Sequence, residues 1–95
     1  MTVFIMSPFT VLDGAKMKEY AAAAGPIVAE YGGQISKRGR FLEALAGDHG
    51  GDGIGLIEFP DADAARAWYH SDVYQELIPL RSEACDITFT LYEVV

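Results

Sequence analysis

Two strand-like segments of this chain are apolar on both faces, which restricts its architecture more than any other feature. In "TVFIMSPF", Val3, Ile5 and Phe9 point one way while Phe4 and Met6 point the other. In "IGLIEF", Ile54 and Leu56 oppose Ile57 and Phe59, because successive side chains of a strand alternate across the sheet. A sheet built from such strands needs a cover on each side. With 95 residues the chain forms one domain of two packed layers and little more. Its own helices can cover one face; the other requires a partner surface.

The remaining elements follow from periodicity and punctuation. "TVFIMSPF" reads as a strand ended near Pro8. Asp13 is placed to cap a helix in which Met17, Tyr20, Ala21, Ala24, Val28 and Tyr31 recur at three- and four-residue steps. Gly25-Pro26 predicts a kink there, because proline cannot donate to the preceding turn while the stripe keeps its phase. Gly32-Gly33 stops the helix. Residues 34–46 read as a bent strand, with a bulge or bend at Gly39. "DHGGDG" is a loop and "IGLIEF" the third strand, ended by Pro60. Asp61 caps the helix "ADAARAWYH", with Asp63 near its positive end. Ser71 recaps a short helix, "DVYQELI", which Pro79 limits, and "DITFTLYEV" is the last strand.

The order β-α-β-β-α-β, with a small extra helix before the last strand, closes into a four-stranded antiparallel sheet with the helices on one face. This is an α+β, ferredoxin-like protomer spanning residues 1–95 as one domain. Its second apolar face predicts pairing with a copy of itself, sheet against sheet, as a dimeric α+β barrel whose interior lies between protomers.

Charge and cysteine usage exclude several classes. Fourteen acidic residues stand against seven basic, a formal net charge of −7, which disfavours nucleic acid and anionic membranes as partners. Lys37, Arg38 and Arg40 cluster, but three charges close together read as a solvated patch. A single cysteine, Cys85, allows no intramolecular disulfide and suits a reducing compartment. The N-terminal "MTVFIMSPF" lacks the pattern of a signal or a span, so a cytoplasmic location is expected. Around His49, "GDHGGD" does not match a metal loop, and neither a metal nor a cofactor is expected. The chain contains no phosphate loop, dinucleotide fingerprint or nucleophile elbow.

Three residues are candidates for catalysis. Glu58 shares a face with Ile54 and Leu56, which directs it into the barrel interior, where a carboxylate must be paired or shifted. The alternative is a strand-end carboxylate reaching solvent. Arg38, on a strand expected to pair with that of Glu58, is its candidate partner; the alternative is a surface arginine beside Lys37. His70 ends a helix, where a dipole contact explains it without catalysis, and a general base is the functional reading. Trp68, Tyr69 and Tyr74 are the ligand-binding candidates, with core packing as the competing account. Cys85 has no evident activating neighbour.

The stretches "EYAAAAGPIVAEYGGQISKRG", "EALAGD" and "IEFPDADAARAWYHSDVYQELIPLR" resemble a family of uncharacterised small bacterial proteins within the dimeric α+β barrel superfamily. That family carries a domain of unknown function, and the resemblance covers nearly the whole chain. It implies a ferredoxin-like protomer and a homodimer, and no settled activity. The wider superfamily includes cofactor-free monooxygenases, haem-binding members, small isomerases and stress-induced proteins. This chain departs from the haem-using branch, having no histidine on a helix face where an axial ligand is expected.

Three functions therefore stand open: a cofactor-independent enzyme acting on a small apolar or aromatic molecule, a non-catalytic ligand-binding or stress-associated dimer, and a structural interaction module. All three share the dimer. Light scattering on a sizing column at micromolar concentration should return twice the chain mass of 10.3 kDa; a monomeric mass would remove the barrel expectation.

Overall fold

The computed structural model describes residues 2–48 and 51–95. The elements are β1 (Val3–Val11), α1 (Gly14–Glu30), β2 (Gln34–Arg40), β3 (Gly53–Phe59), α2 (Ala62–His70), α3 (Asp72–Gln75), α4 (Ile78–Ala84), β4 (Cys85–Ile87) and β5 (Thr90–Glu93). They form one antiparallel sheet in the order β2-β3-β1-β4, with β5 also paired to β1. This is the ferredoxin-like arrangement expected of the sequence. Among the described residues no helix is long and apolar enough to cross a membrane.

β1 does not end at Pro8 but runs on to Val11. The proline instead marks the other side of the ladder. Phe9 pairs with Ile87 and Met6 with Thr90, so β4 and β5 share one register and are one strand interrupted. Thr88 N donates to Pro8 O at 3.1 Å, and the return bond is missing because proline has no N–H. The break in the last strand is thus written into the first.

Asp13 caps α1, its Oδ1 accepting from Lys16 N at 3.0 Å. The helix passes through Pro26 without a break. Gly25 makes this possible, since a residue before proline is normally driven out of the helical region partly by its Cβ, which glycine lacks. Beyond Tyr31, Gly32 takes the left-handed conformation at φ 79°, and Gly33 N closes the cap on Val28 O at 2.9 Å. The stripe expected from the sequence buries Tyr20, Ala24 and Val28, together with Ile27.

β2 is shorter than expected. It stops at Arg40 rather than near residue 46, because its partner β3 begins at Gly53, opposite Arg40. The bulge lies at Ser36, between Ile35 and Lys37, and not at Gly39. α2 is capped by Asp61, whose Oδ1 accepts from Ala64 N at 2.8 Å. Ser71 joins α2 to α3 by donating to Trp68 O at 2.8 Å and accepting from Tyr74 N at 3.2 Å. Pro79 does not limit a helix; it sits in the first turn of α4, where its missing N–H costs nothing.

The core lies between the helices and one sheet face. Val3, Ile5, Ile57 and Phe59 come from the sheet, Tyr20, Ala24, Ile27 and Val28 from α1, and Ala65, Trp68, Tyr74 and Ala84 from the later helices. The opposite sheet face is also apolar: Phe4 stacks on Tyr92 with ring centroids 5.4 Å apart, and Met6 pairs with Leu56 across the ladder.

Gly33 locks the turn between α1 and β2 against this core. A Cβ there would lie 2.6 Å from the Phe59 ring and 2.8 Å from Val28 Cγ1. The Phe59 ring is itself held against Trp68 at 5.6 Å between centroids, so it cannot easily retreat. Gly33→Ala should lower the unfolding free energy by about 1–3 kcal/mol, the usual cost of overpacking. Urea melts would measure it, and an unchanged midpoint would mean that the turn relaxes freely.

Candidate functional site

A cavity of about 270 Å³ lies between α1 and the sheet. It exists because small residues face one another. Ala21, Ala24 and Gly25 present little volume on the helix side, and Ser7 and Gly55 present little on the sheet side. Ser7 is buried and turns its hydroxyl down onto the ladder, donating to Gly55 O at 2.9 Å. A side chain at Gly55 would collide with that hydroxyl, its Cβ falling 2.9 Å from Ser7 Oγ. Phe9, Ile57, Trp68 and Phe89 close the wall with apolar surface, and Arg38 stands at the rim.

Trp68 is 1 % exposed, and its indole Nε1 is the buried side-chain donor without a protein acceptor among the described residues. Leaving such a group unpaired costs about 1–3 kcal/mol, a cost the packing of the ring against Phe59, Tyr74 and Phe89 offsets.

Behind the cavity runs a chain of hydroxyls. Tyr20 Oη and Tyr74 Oη are 2.6 Å apart, and Arg81 donates from one guanidinium nitrogen to Tyr74 Oη at 3.0 Å and Tyr69 Oη at 3.4 Å. The guanidinium carbon is 5.6 Å from the Phe89 ring centre, 5.8 Å from that of Tyr74 and 5.9 Å from that of Tyr69, so cation–π attraction and hydrogen bonding hold it together. Burial pushes the Tyr20 phenol well above its ordinary range, with Tyr74 adding to the effect. Burial raises Tyr74 too, against the hydrogen bonds from Tyr20 and Arg81. For Arg81, burial works toward a lower value, and the phenol oxygens outweigh it, raising the guanidinium further. Both phenols therefore stay protonated at neutral pH. Cys85 is buried, and desolvation pushes its thiol up as well, which keeps it from acting as a thiolate.

The candidates named from sequence are dispersed. Glu58 is exposed in the protomer, on the face of Phe4 and Gln34, its ladder neighbours. The cavity is on the opposite face. Arg38 pairs with Gly55, three positions along β3 from Glu58. The expected Glu58–Arg38 ion pair is not made in the protomer, and the bulge is the reason. Ser36 takes up one extra residue, which reverses the alternation and moves Arg38 to the helix side. His70 lies outside the cavity, exposed, with Tyr69 in a separate groove that also contains Arg66 and Arg81. Trp68 belongs to the walls of both spaces. Tyr74 is fully buried at 0 % exposure and reaches the cavity only through Tyr20. His49 lies outside the described residues. Sequence reasoning passed over Tyr20 as packing and did not single out the small residues. Ser7 and Gly55, both inside strands and opposite each other, were the available signal.

The phenol chain ties stability to pH. Tyr20 holds its proton above the ordinary phenol value of 10.0, so in alkali the folded state binds more protons than the unfolded chain. Its contribution is complete below that value and is lost as pH rises beyond it. Urea unfolding should show stability falling above about pH 10, with Tyr20 contributing a slope of up to about 1.4 kcal/mol per pH unit. Tyr20→Phe should flatten that fall; identical alkaline slopes in the two proteins would contradict the buried-phenol account.

The architecture recurs in solved structures. A protein of unknown function from Rhodopseudomonas palustris superposes with a TM-score of 0.83 at 20 % identity, over 99 % of this chain and 82 % of its own. SnoaB, a cofactor-independent oxygenase from Streptomyces nogalater, gives 0.70 at 16 % identity over 99 % and 93 %. A dimeric ferredoxin-like protein of unknown function from Thermobifida fusca gives 0.68 at 13 % identity over 99 % and 92 %. At these identities the likeness is one of fold. No curated protein matches the chain in sequence. The family model for a domain of unknown function, DUF1330, matches residues 2–95, and the chain belongs to that family.

Proposed function

We propose that the protein takes up a small, mainly apolar or aromatic molecule bearing a hydrogen-bond acceptor, in the cavity between α1 and the sheet. The observation that carries this reading is the cavity itself, walled by Phe9, Ile57, Trp68 and Phe89, with the Tyr20 phenol and Arg38 as polar groups in its lining. An apolar site with a few placed polar groups is the usual form of a small-molecule pocket. The interaction-module reading is the weaker, because it gives the cavity no role.

Catalysis without a cofactor is a second reading, favoured by the Tyr20–Tyr74–Arg81 chain, which supplies donors beside the cavity. Such donors stabilise negative charge developing on a substrate oxygen. SnoaB, which shares the fold, is described as a cofactor-independent oxygenase. Against a proton-abstracting role, no Asp, Glu or His is among the described residues lining the cavity. Binding is the reading preferred here, with turnover confined to substrates that need acid assistance alone.

Trp68 is the single tryptophan of the chain, so its fluorescence reports on the cavity directly. Titration with 2-naphthol should quench that emission saturably, with the affinity confirmed by calorimetry. Ala21→Phe, at an exposed position of α1 on the cavity edge, should weaken binding at least about tenfold by occupying the space, at little cost to stability. Quenching that is unsaturable, or untouched by Ala21→Phe, counts against the cavity as the site.

A further inference from the structure

We propose that the natural ligand carries a carboxylate, seated at the cavity mouth between Arg38 and Arg40. This rests on the binding reading above and adds the chemical class. Past the bulge at Ser36, Arg38 is paired with Gly55 and Arg40 with Gly53. Both arginines therefore stand on the helix side of β2, two residues and about 7 Å apart along the strand. The cross-strand neighbour of each is a glycine, so no side chain from β3 stands beside either. At Arg38, Gly39 and Phe9 the cavity opens into a shallower groove that also contains Arg40, Phe41 and Asp52.

Among the described residues neither guanidinium has an ion-pair partner. The salt bridges among the described residues are Lys16–Glu83 and Arg66–Asp63. Asp52, the carboxylate of the groove, is held by the backbone, its Oδ2 accepting from Val11 N at 2.8 Å, and it forms no ion pair with either arginine among the described residues. Lys37 is paired with Leu56 on the opposite face and does not share the mouth. In a chain of net charge −7, two unpaired arginines on the rim of an apolar cavity form a local positive site against the general field. The guanidinium is also the side chain best matched to a planar carboxylate, which it binds through paired N–H donors.

The geometry orders the ligand. Its apolar body occupies the space under Ala21, Ala24 and Gly25, and its carboxylate meets the arginines at the open end. Two probes differing only in the carboxylate test this: 6-hydroxy-2-naphthoic acid and 2-naphthol. At neutral pH and low ionic strength the acid should bind about tenfold more tightly, as expected for a charge-assisted pair at a partly exposed rim. High salt should remove most of that preference. Arg38→Met with Arg40→Met should abolish it, read as the ratio of the two affinities so that any change at the cavity rim common to both probes cancels; both residues are exposed, and circular dichroism checks the fold. Arg38→Lys should retain part of the preference, keeping charge but not the fork. Equal affinity for the two compounds, or a preference that survives in the double variant, overturns the carboxylate assignment and leaves cavity binding standing. If neither compound binds the native protein, both readings fall.

Discussion

The hydrogen bond between Tyr20 and Tyr74 is the contact on which the helical layer depends. Two phenols cannot be carried into an apolar core unless their oxygens are satisfied, since each unpaired hydroxyl would cost about 1–3 kcal/mol. Here they satisfy one another at 2.6 Å, and Arg81 completes the chain at 3.0 Å. The bond fixes α1 against α3, and through Arg81 against α4. It therefore sets how Ala21, Ala24 and Gly25 lie over Ser7 and Gly55. The cavity is shaped by small residues, and their separation is held by polar ones behind them.

The same chain gives the site its chemical character. Arg81 sits among three rings and bonds phenol oxygens, so its charge is spent on orientation rather than offered to a ligand. Tyr20, with its proton held by burial, is a donor and not a base at neutral pH. Apart from Ser7, whose proton is already given to Gly55 O, the polar groups around the cavity are donors. A cavity of that kind favours molecules rich in acceptors, and it offers little to a substrate whose reaction begins with loss of a proton.

How much of this was legible in the sequence depends on how local the cause is. Asp13, Asp61 and Ser71 cap helices because their side chains bond backbone groups three residues on, and those positions could be read directly. Alternation placed Ile57 and Phe59 correctly under the helices. Pro8 and Pro79 misled because proline carries two meanings. At Pro8 the lost N–H was absorbed by the neighbouring strand, and at Pro79 it fell where a helix has no use for it. Gly25 carried the helix through Pro26 by an absence of side chain that no periodicity expresses. The site was harder. A bulge at Ser36 has no strong residue signature, yet it decides the side of the sheet on which Arg38 stands. Pairing Arg38 with Glu58 rested on their strands being neighbours, which they are, and failed because the bulge turns Arg38 to the other face.

The two sheet faces take separate roles, and the insertion decides which of them the arginines of β2 join. Two apolar sheet faces suggested one interior, shared between protomers, in which partner and ligand would be found together. In the protomer the faces divide the work. The face of Phe4, Met6, Leu56 and Tyr92 remains available for a partner surface, and it carries Glu58 and Lys37. The face under the helices holds the cavity, and the bulge delivers Arg38 and Arg40 to its edge. A regular β2 would have put Arg38 and Arg40 on the outer face and Lys37 on the inner, leaving one flexible ammonium at the mouth in place of two guanidinium forks. Lysine supplies charge without planar geometry. The extra residue in β2 therefore exchanges a diffuse positive charge for a shaped one, and this is how a strongly acidic chain can present a specific cationic rim to its cavity.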